Sequence, residues 1–516
     1  MTDALLQTHW DVIVIGTGIG GGTAGRALAE AGLKTLFLEK GPAGYRAERT
    51  ALSHEVFLPE ARLTRGFWPG QIVARQNGTE SRFFGPLGAG VGGSSVFYAA
   101  TLERPEPHDL DDSPEKPHPT GGWPVSFDAF APYIERAERL YHISGDPHAP
   151  GQDHLAPARP LSPADQRIAE RLRRNGHAPY ALHSAIRHVD GCLGCLGKCP
   201  LPCKMDGRSA GVEPALATGN AALLDHCDVT RLRTRDAQIT QIEARHHGRP
   251  VTLTARHVLL AGGAFGSPRL CLASTSEAHP KGLANSSGLV GRNLMFHLNE
   301  LFALWPGTSD PAPSKAIGLR DLYHLNGQRL GMVQAMGVSA SYGEIAYYLR
   351  TLIDRSALRH IPLAGELSRI PAAAAAKLLG SAKIFVGLLE DMPYAENRVL
   401  PPDPGSDDIA FTYTLHPELA ARRRAFRRAI SRAFRGQRRM FLNHAPDLNH
   451  GHPTGTMRFG TDPATSVLTP WGRAHDHPNL WVADAGFMPT SMGVNPSLTI
   501  AAQALRTADA IKDSLT

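Results

Sequence analysis

WDVIVIGTGIGGGTAGRALAEAGLKTLFLE, residues 10–39, decides the fold. Trp10–Ile15 is a short, mostly apolar run, the composition of a central parallel strand covered on both faces. It leads into Gly16-Thr17-Gly18-Ile19-Gly20-Gly21. Thr23–Ala31 then reads as a helix stopped by Gly32, and Leu33–Leu38 as a second strand ending in Glu39. Together these make a βαβ unit with each part of a dinucleotide-binding turn present. Gly16 allows the tight turn, Gly18 beside Ile19 lets the backbone approach a pyrophosphate, and Gly21 lets the helix pack close to the strand. Free N–H groups and the dipole at the start of that helix favour a negative ligand. Glu39 is positioned to accept hydrogen bonds from ribose hydroxyls. An acid at this position serves FAD and NAD equally, so the unit alone does not separate the two.

The chain has 516 residues, too many for one simple core, and its 42% hydrophobic and 20% charged content is ordinary for a globular enzyme. A net charge of +6 is weak over this length and comes with no nucleic-acid-binding signature, so no nucleic-acid partner is expected. MTDALLQTHW at the start lacks a basic patch followed by an apolar core, and no stretch approaches the ~20 apolar residues that span a bilayer. The expectation is a cytoplasmic protein.

Three further stretches carry motifs: FGPLGAGVGGSSVFYAA (84–100), HPTGTMRFGTDPATSV (452–467) and NLWVADAGFMPTSMGVNPSLTIAAQ (479–503). VLLAGGAFGSPRL (258–270), SGLVGRNLMFH (287–297) and Asn397-Arg398-Val399 lie between. With the N-terminal unit, the set resembles the glucose–methanol–choline (GMC) oxidoreductase family over nearly the whole chain. The resemblance implies an α/β plus α+β fold, a Rossmann-like FAD-binding domain interrupted by a substrate domain with an antiparallel sheet. The segments expected are 1–110, 190–297 and 448–516 for FAD, and 111–189 and 298–447 for the substrate domain and lid. It further implies that Gly92, Gly93 and Ser94 pass close to the isoalloxazine ring and that the Val229 backbone meets the adenine. Asp484 stands where the family's aspartate lies near the ribityl chain, and Ala485 and Pro496 where its backbone touches the flavin. Glycines at 88, 90, 92 and 93 also suit, on their own chemistry, a backbone lying flat against a planar ring.

Oxidising an alcohol requires a base for the hydroxyl proton, an acceptor for the hydride, and a group to hold the oxygen. Histidine is the natural base near neutral pH. Among His444, His450 and His452, only His452 stands in the family's HxxGT pattern, as His452-Pro453-Thr454-Gly455-Thr456. The partner position, histidine or asparagine in the family, is Asn495. This Asn-type pair resembles the cholesterol oxidase and choline oxidase branches, and the chain as a whole a bacterial dehydrogenase-like branch. The resemblance therefore gives His452 as general base and Asn495 as the group that orients the substrate oxygen, with His450 as a supporting neighbour. Tyr98 replaces the asparagine common at the end of the GGSSxxN loop and is a candidate pocket residue. No histidine stands in that loop, so FAD is expected to bind noncovalently.

GCLGCLGKCPLPCK gathers Cys192, Cys195, Cys199 and Cys203. A compact structural loop is the favoured reading, so no metal site is expected. An iron–sulfur cluster is a less favoured one, because the spacing departs from the ferredoxin run, and zinc or a disulfide is the third. In the middle of the chain, 361–389 reads as short helices broken by Pro371 before an apolar strand. It is first a packed part of the substrate domain and second a lid or a peripheral membrane contact. Glu418–Met440 is an arginine-rich helix with a stripe of Leu419, Phe426, Ile430 and Phe434; its arginines read as solvated. The expected substrate is a small alcohol or sugar-like hydroxyl. The acceptor is left open among oxygen, a quinone and a redox protein. Two alternatives share the motifs: non-redox lyase chemistry on the same fold, and a cluster-bearing electron-transfer subunit.

Overall fold

The computed structural model describes residues 2–44, 58–149, 151–187, 203–308, 314–338 and 340–515. The strand His9–Ile15 (β1), the helix Ile19–Glu30 (α1) and the strand Thr35–Leu38 (β2) form the expected unit, with β1 and β2 parallel. The helix starts at Ile19 rather than Thr23, so Gly20, Gly21 and Gly22 are helical despite their poor propensity. Close approach explains them. A Cβ on Gly20 would lie 1.4 Å from the Ala483 carbonyl oxygen, and one on Gly21 would lie 2.1 Å from that of Gly16.

The parallel sheet runs Ala221–Leu224, β2, β1, Arg249–Leu260 (β3) and Leu480–Val482 (β4). β3 is long enough to do two jobs. Its C-terminal half pairs with β1 and β4, and its N-terminal half begins an antiparallel meander with Gln238–His246 and Cys227–Arg235. Val12, Ile13, Val14, Leu36, Phe37 and Leu259 have no exposed surface, as strands covered on both faces require. The C-terminal helix Ser497–Leu515 (α2) packs against α1.

A second sheet is antiparallel throughout: Arg438–Phe441, Leu298–Trp305, Lys383–Leu389, Gly331–Ala335, Ile317–Leu319 and Tyr180–Ala181. A third joins Ile72–Gln76 and Thr79–Phe83 to Ile409–Tyr413 and Arg398–Val399. The arginine-rich helix spans Pro417–Ala433, with Leu419, Phe426 and Ile430 buried and Phe434 buried at its end. Two of its arginines are not solvated. Arg422 bonds Glu418 and the carbonyls of Arg329 and Glu390, and Arg423 pairs with buried Glu300. A charge survives burial only when paired in this way.

Pro371 does not break its helix. It lies in the first turn of Arg369–Leu379, where its missing N–H leaves no intrahelical bond unmade. The chain turns instead at Leu363, which holds φ 61°. No helix among the described residues is long and apolar enough to cross a membrane.

Candidate active site

The carboxyl ends of the parallel strands converge on Gly18. Gly16 follows β1 with φ 104°, and its N–H donates to the Leu38 carbonyl at 2.9 Å. No side chain caps the start of α1. A Cβ on Gly18 would meet no atom within 4 Å, whereas one on Gly93 would lie 2.9 Å from the Gly18 Cα and one on Gly207 2.6 Å from its carbonyl carbon. The Gly18–Ile19 backbone is thus enclosed by glycines but faces open space on one side, a cradle that fits a pyrophosphate at a helix N-terminus.

Thr17 ties this turn to its neighbours. Its hydroxyl accepts from the Gly92 N–H at 3.0 Å and donates to Glu39, and its N–H donates to the same carboxylate at 3.2 Å. Glu39 is 5% exposed, and burial pushes its carboxyl up to about 7, so further donors are favoured there. The Cys227 N–H donates to the Glu39 carbonyl at 2.8 Å, which brings half-buried Val229 in from the next strand. Ser94 accepts from the Gly88 N–H at 2.9 Å, closing the glycine loop. These contacts bring Gly16, Gly18, Ile19, Gly21, Glu39, Gly92, Gly93, Ser94 and Val229 to one edge of the sheet, and the donor set fits a dinucleotide.

Asp484 caps the turn Ala485–Phe487 through the Gly486 N–H and also accepts from Gly263 N–H and Ser267. Burial pushes its carboxyl up to about 6. The HPTGT segment lies alongside: the N–H groups of Gly455, Met457 and Phe459 donate to the carbonyls of Ala485, Gly486 and Phe487 at 2.8–3.1 Å. On its other side, Met295 and Thr454 exchange two backbone bonds of 3.0 Å. Only glycine fits at 455, where φ is +92° and a Cβ would lie 2.3 Å from the Asn293 oxygen.

That pairing sets His297 against His452, with Nδ1 atoms 2.9 Å apart. His297 is fully buried, and its Nε2 lies 2.9 Å from the Met492 carbonyl oxygen. Burial lowers its pKa to about 4, so the ring is neutral and carries one proton. A carbonyl can only accept, so that proton is on Nε2 and Nδ1 presents a lone pair. His452 must then donate from Nδ1, leaving its Nε2 as the unprotonated atom. The Asn449 amide nitrogen, 3.3 Å from the same Nδ1, is in this arrangement a neighbour and not a hydrogen-bond partner, because both atoms carry hydrogen. Burial first, and His297 second, lower the His452 pKa to about 3.

The loop that receives His297 is held firmly. Met492 has φ 57°, uncommon for a non-glycine residue, and presents its carbonyl to the imidazole. The Gly493 N–H donates to the Tyr323 hydroxyl, which donates to Asp109. Ser491 accepts from the Asp391 N–H, and the Asp391 carboxylate accepts from the Phe296 N–H at 2.9 Å. One acid thus anchors both neighbours of the His297–Met492 bond. Asn495 follows on this loop, 7% exposed, and its Oδ1 has no hydrogen-bond partner among the described residues. A buried amide left unmatched is costly unless a ligand completes it. Pro496 then leads into α2, its carbonyl accepting from the Ile500 N–H.

The remaining candidates lie as follows. Tyr98 is half-buried, and its hydroxyl donates to the Met205 carbonyl. His450 is buried among Phe83, Phe296 and Phe411. Cys192, Cys195 and Cys199 lie outside the described residues, and Cys203 is buried. Among the described residues no group of His, Cys, Asp or Glu could hold a metal ion. His297 is the functional residue that residue typing missed, although it ends the Ser287–His297 motif. Thr17, Asp391, Tyr323 and Met492 carry no motif of their own.

Sequence models described as GMC oxidoreductase match residues 11–299 and 393–504. The chain is 30% identical to 6'''-hydroxyparomomycin C oxidase of Streptomyces lividus, over 98% of this chain and 92% of that protein. It is 29% identical to 2-methyl-1,2-propanediol dehydrogenase of Mycolicibacterium austroafricanum, over 99% and 96%. Its fold is similar to that of pyridoxine 4-oxidase from Mesorbium loti, with TM-score 0.64 and 19% identity over 97% of this chain and 99% of that one.

Proposed function

The chain belongs to the GMC oxidoreductase family, and from that membership we propose that it is an FAD-dependent enzyme oxidising an alcohol to a carbonyl, with His452 as the base and Asn495 as the group holding the substrate oxygen. The observation that carries this reading is the chain from the Met492 carbonyl through His297 to His452. It leaves Nε2 of His452 with the lone pair that a base needs. Bound FAD supplies the two-electron acceptor for the hydrogen on carbon. His452 takes the hydroxyl proton at Nε2, and its Nδ1 proton stays shared with His297 throughout. The Asn495 amide holds the oxygen as it loses that proton, so the alkoxide character that develops is met by a fixed donor.

The cofactor in this reading is noncovalent FAD. Gly16, Gly18, Ile19 and Gly21 would hold its pyrophosphate, Glu39 and Val229 its adenosine, and Gly92, Gly93, Ser94, Asp484, Ala485 and Pro496 its ring end. The segments 1–110, 190–297 and 448–516 carry it, and 111–189 and 298–447 bound the substrate. Release of all flavin into the supernatant on acid precipitation tests the noncovalent claim.

His297 acts here as a positioning residue. His297→Phe removes the acceptor that fixes the His452 tautomer. It is expected to lower kcat by about tenfold to a hundredfold, the size of effect seen when a group that orients a metal-bound imidazole is lost, with KM nearly unchanged. His297→Asn, whose Oδ1 can take the place of the Nδ1 acceptor, should restore part of the rate. Equal losses for both variants would reduce His297 to a packing role.

Because both imidazoles are depressed below 6.5, the base is already unprotonated across the neutral range. The rate of flavin reduction should stay level as pH falls through 6.5 and decline only well below it. An acid limb centred at 6.5 would contradict the burial of the base. Stability has the matching sign. The contribution of these neutral rings is present above 6.5 and is lost as pH falls from there toward 3–4, where the unfolded chain binds protons that the folded one refuses.

A further inference from the structure

Eleven large apolar side chains stand exposed among the described residues, and eight of them lie between Tyr342 and Leu378. Soluble proteins scatter such side chains; a concentration marks a surface that something covers. The segment is built of short helices, Tyr342–Asp354, Ala357–His360, Ala364–Leu367 and Arg369–Leu379. The first three bury no side chain, and the last buries only Ala372 and Leu379. Leu358, Ile361, Leu363, Leu367, Ile370 and Leu378 form the exposed set, with Leu363 and Ile370 each 71% exposed. Leu363 is also held at φ 61°, a conformation costly for a side chain that stays 71% exposed.

Charge tells which covering surface fits. From 356 to 380 the exposed cations are Arg359, Arg369 and Lys377. The one acid there, Glu366, is already engaged by Arg369 at 2.7 Å and by Arg350 at 3.7 Å. Leucine and isoleucine ringed by Arg and Lys, with Tyr342 the one exposed aromatic of the segment, is a poor match to a protein interface. Such interfaces concentrate Tyr, Trp and Arg and are depleted of Lys. It is the composition of an interfacial helix, whose apolar side chains enter the acyl boundary while long cations reach anionic headgroups.

We propose that residues 342–379 dock the protein on an anionic lipid bilayer. The segment is tied to the candidate site. Arg355 pairs with Asp447 at 3.2 Å, on the stretch leading to His452, and lies over the Phe83 ring, while Arg359 donates to the Glu80 carbonyl. Docking therefore sets the bilayer against the face beside the candidate base, where an alcohol or electron acceptor dissolved in lipid could be taken up.

The test is co-sedimentation of the flavin-loaded full chain with vesicles of equimolar phosphatidylcholine and phosphatidylglycerol, and with vesicles of phosphatidylcholine alone. Binding is expected to the mixed vesicles and to be weaker on the neutral ones. Leu363→Glu with Ile370→Glu should lower the partition coefficient by more than about tenfold, with bound-flavin absorbance and melting temperature unchanged. Arg359→Ser with Lys377→Ser keeps the apolar set intact and should lower binding to the mixed vesicles by about fivefold per charge. The proposal is overturned if the unaltered protein stays in the supernatant with mixed vesicles, or if both double variants bind as it does. It is also overturned if the protein is a dimer that the Glu pair dissociates, because a second copy then covers the patch.

Discussion

Replacing His452 with alanine is expected to slow reduction of the bound flavin by an alcohol about 10²–10⁴-fold, the usual contribution of a positioned general base. Flavin content and fold should survive, because His452 is half-buried and, among the described residues, its only close side-chain bond is to His297. The measurement is the rate of flavin bleaching after rapid anaerobic mixing, which reports the chemical step and not the later reoxidation. His450→Phe is the matched control. His450 packs among Phe83, Phe296 and Phe411, so an aromatic replacement should keep the rate within a few-fold. A His452→Ala rate equal to that of the unaltered enzyme would remove the base from the mechanism. A loss as large in His450→Phe would show that packing, not proton transfer, is being measured.

The second large effect separates the cofactor cradle from the scaffold under it. Gly18→Ala should leave the cofactor-free protein as stable as before, because the backbone there (φ −63°, ψ −166°) suits alanine and the added Cβ would meet no protein atom within 4 Å. It should nevertheless weaken flavin binding by about tenfold to a hundredfold, the effect of forcing a methyl group into a close-packed contact. Gly20→Ala should do the reverse. Its Cβ would sit 1.4 Å from the backbone oxygen of Ala483, a clash beyond ordinary overpacking of about 1–3 kcal/mol, so the folded protein itself should be lost. Melting temperature without flavin and titration with FAD distinguish the two. Equal flavin affinity in Gly18→Ala would mean that the space beside Gly18 is not where a pyrophosphate lies.

What sequence reading captured, and what it missed, follows from where the signal resides. The βαβ unit was legible because strand, turn, helix and terminal acid are contiguous in 10–39. The antiparallel sheet and the HPTGT and GVNP motifs came through family resemblance, since their partners are hundreds of residues apart. The start of α1 was misplaced. Three successive glycines argue against helix by propensity, and only contacts with Gly16, Ala483 and Gly207 make them necessary. Arg422 and Arg423 were read as solvated because a charge count carries no information about buried Glu300 or the Arg329 and Glu390 carbonyls. His297 escaped for a related reason. Only its place at the end of the Ser287–His297 motif distinguishes it locally among 24 histidines. Its role comes from the Met295–Thr454 backbone pairing and from a strained carbonyl at Met492, which exist only once the chain is folded.

The central claim is that this chain moves a hydride from an alcohol carbon to flavin. The most direct measurement is the visible absorption spectrum of the purified protein, recorded anaerobically before and after addition of each member of a panel of primary, secondary and sugar alcohols. The expected result is an oxidised-flavin spectrum that bleaches fully with at least one alcohol, with the corresponding carbonyl formed in equal amount. A protein that neither carries flavin nor takes up added FAD would contradict the claim at its root. A flavin that stays oxidised while an alcohol is cleaved would place the same residues in non-redox chemistry.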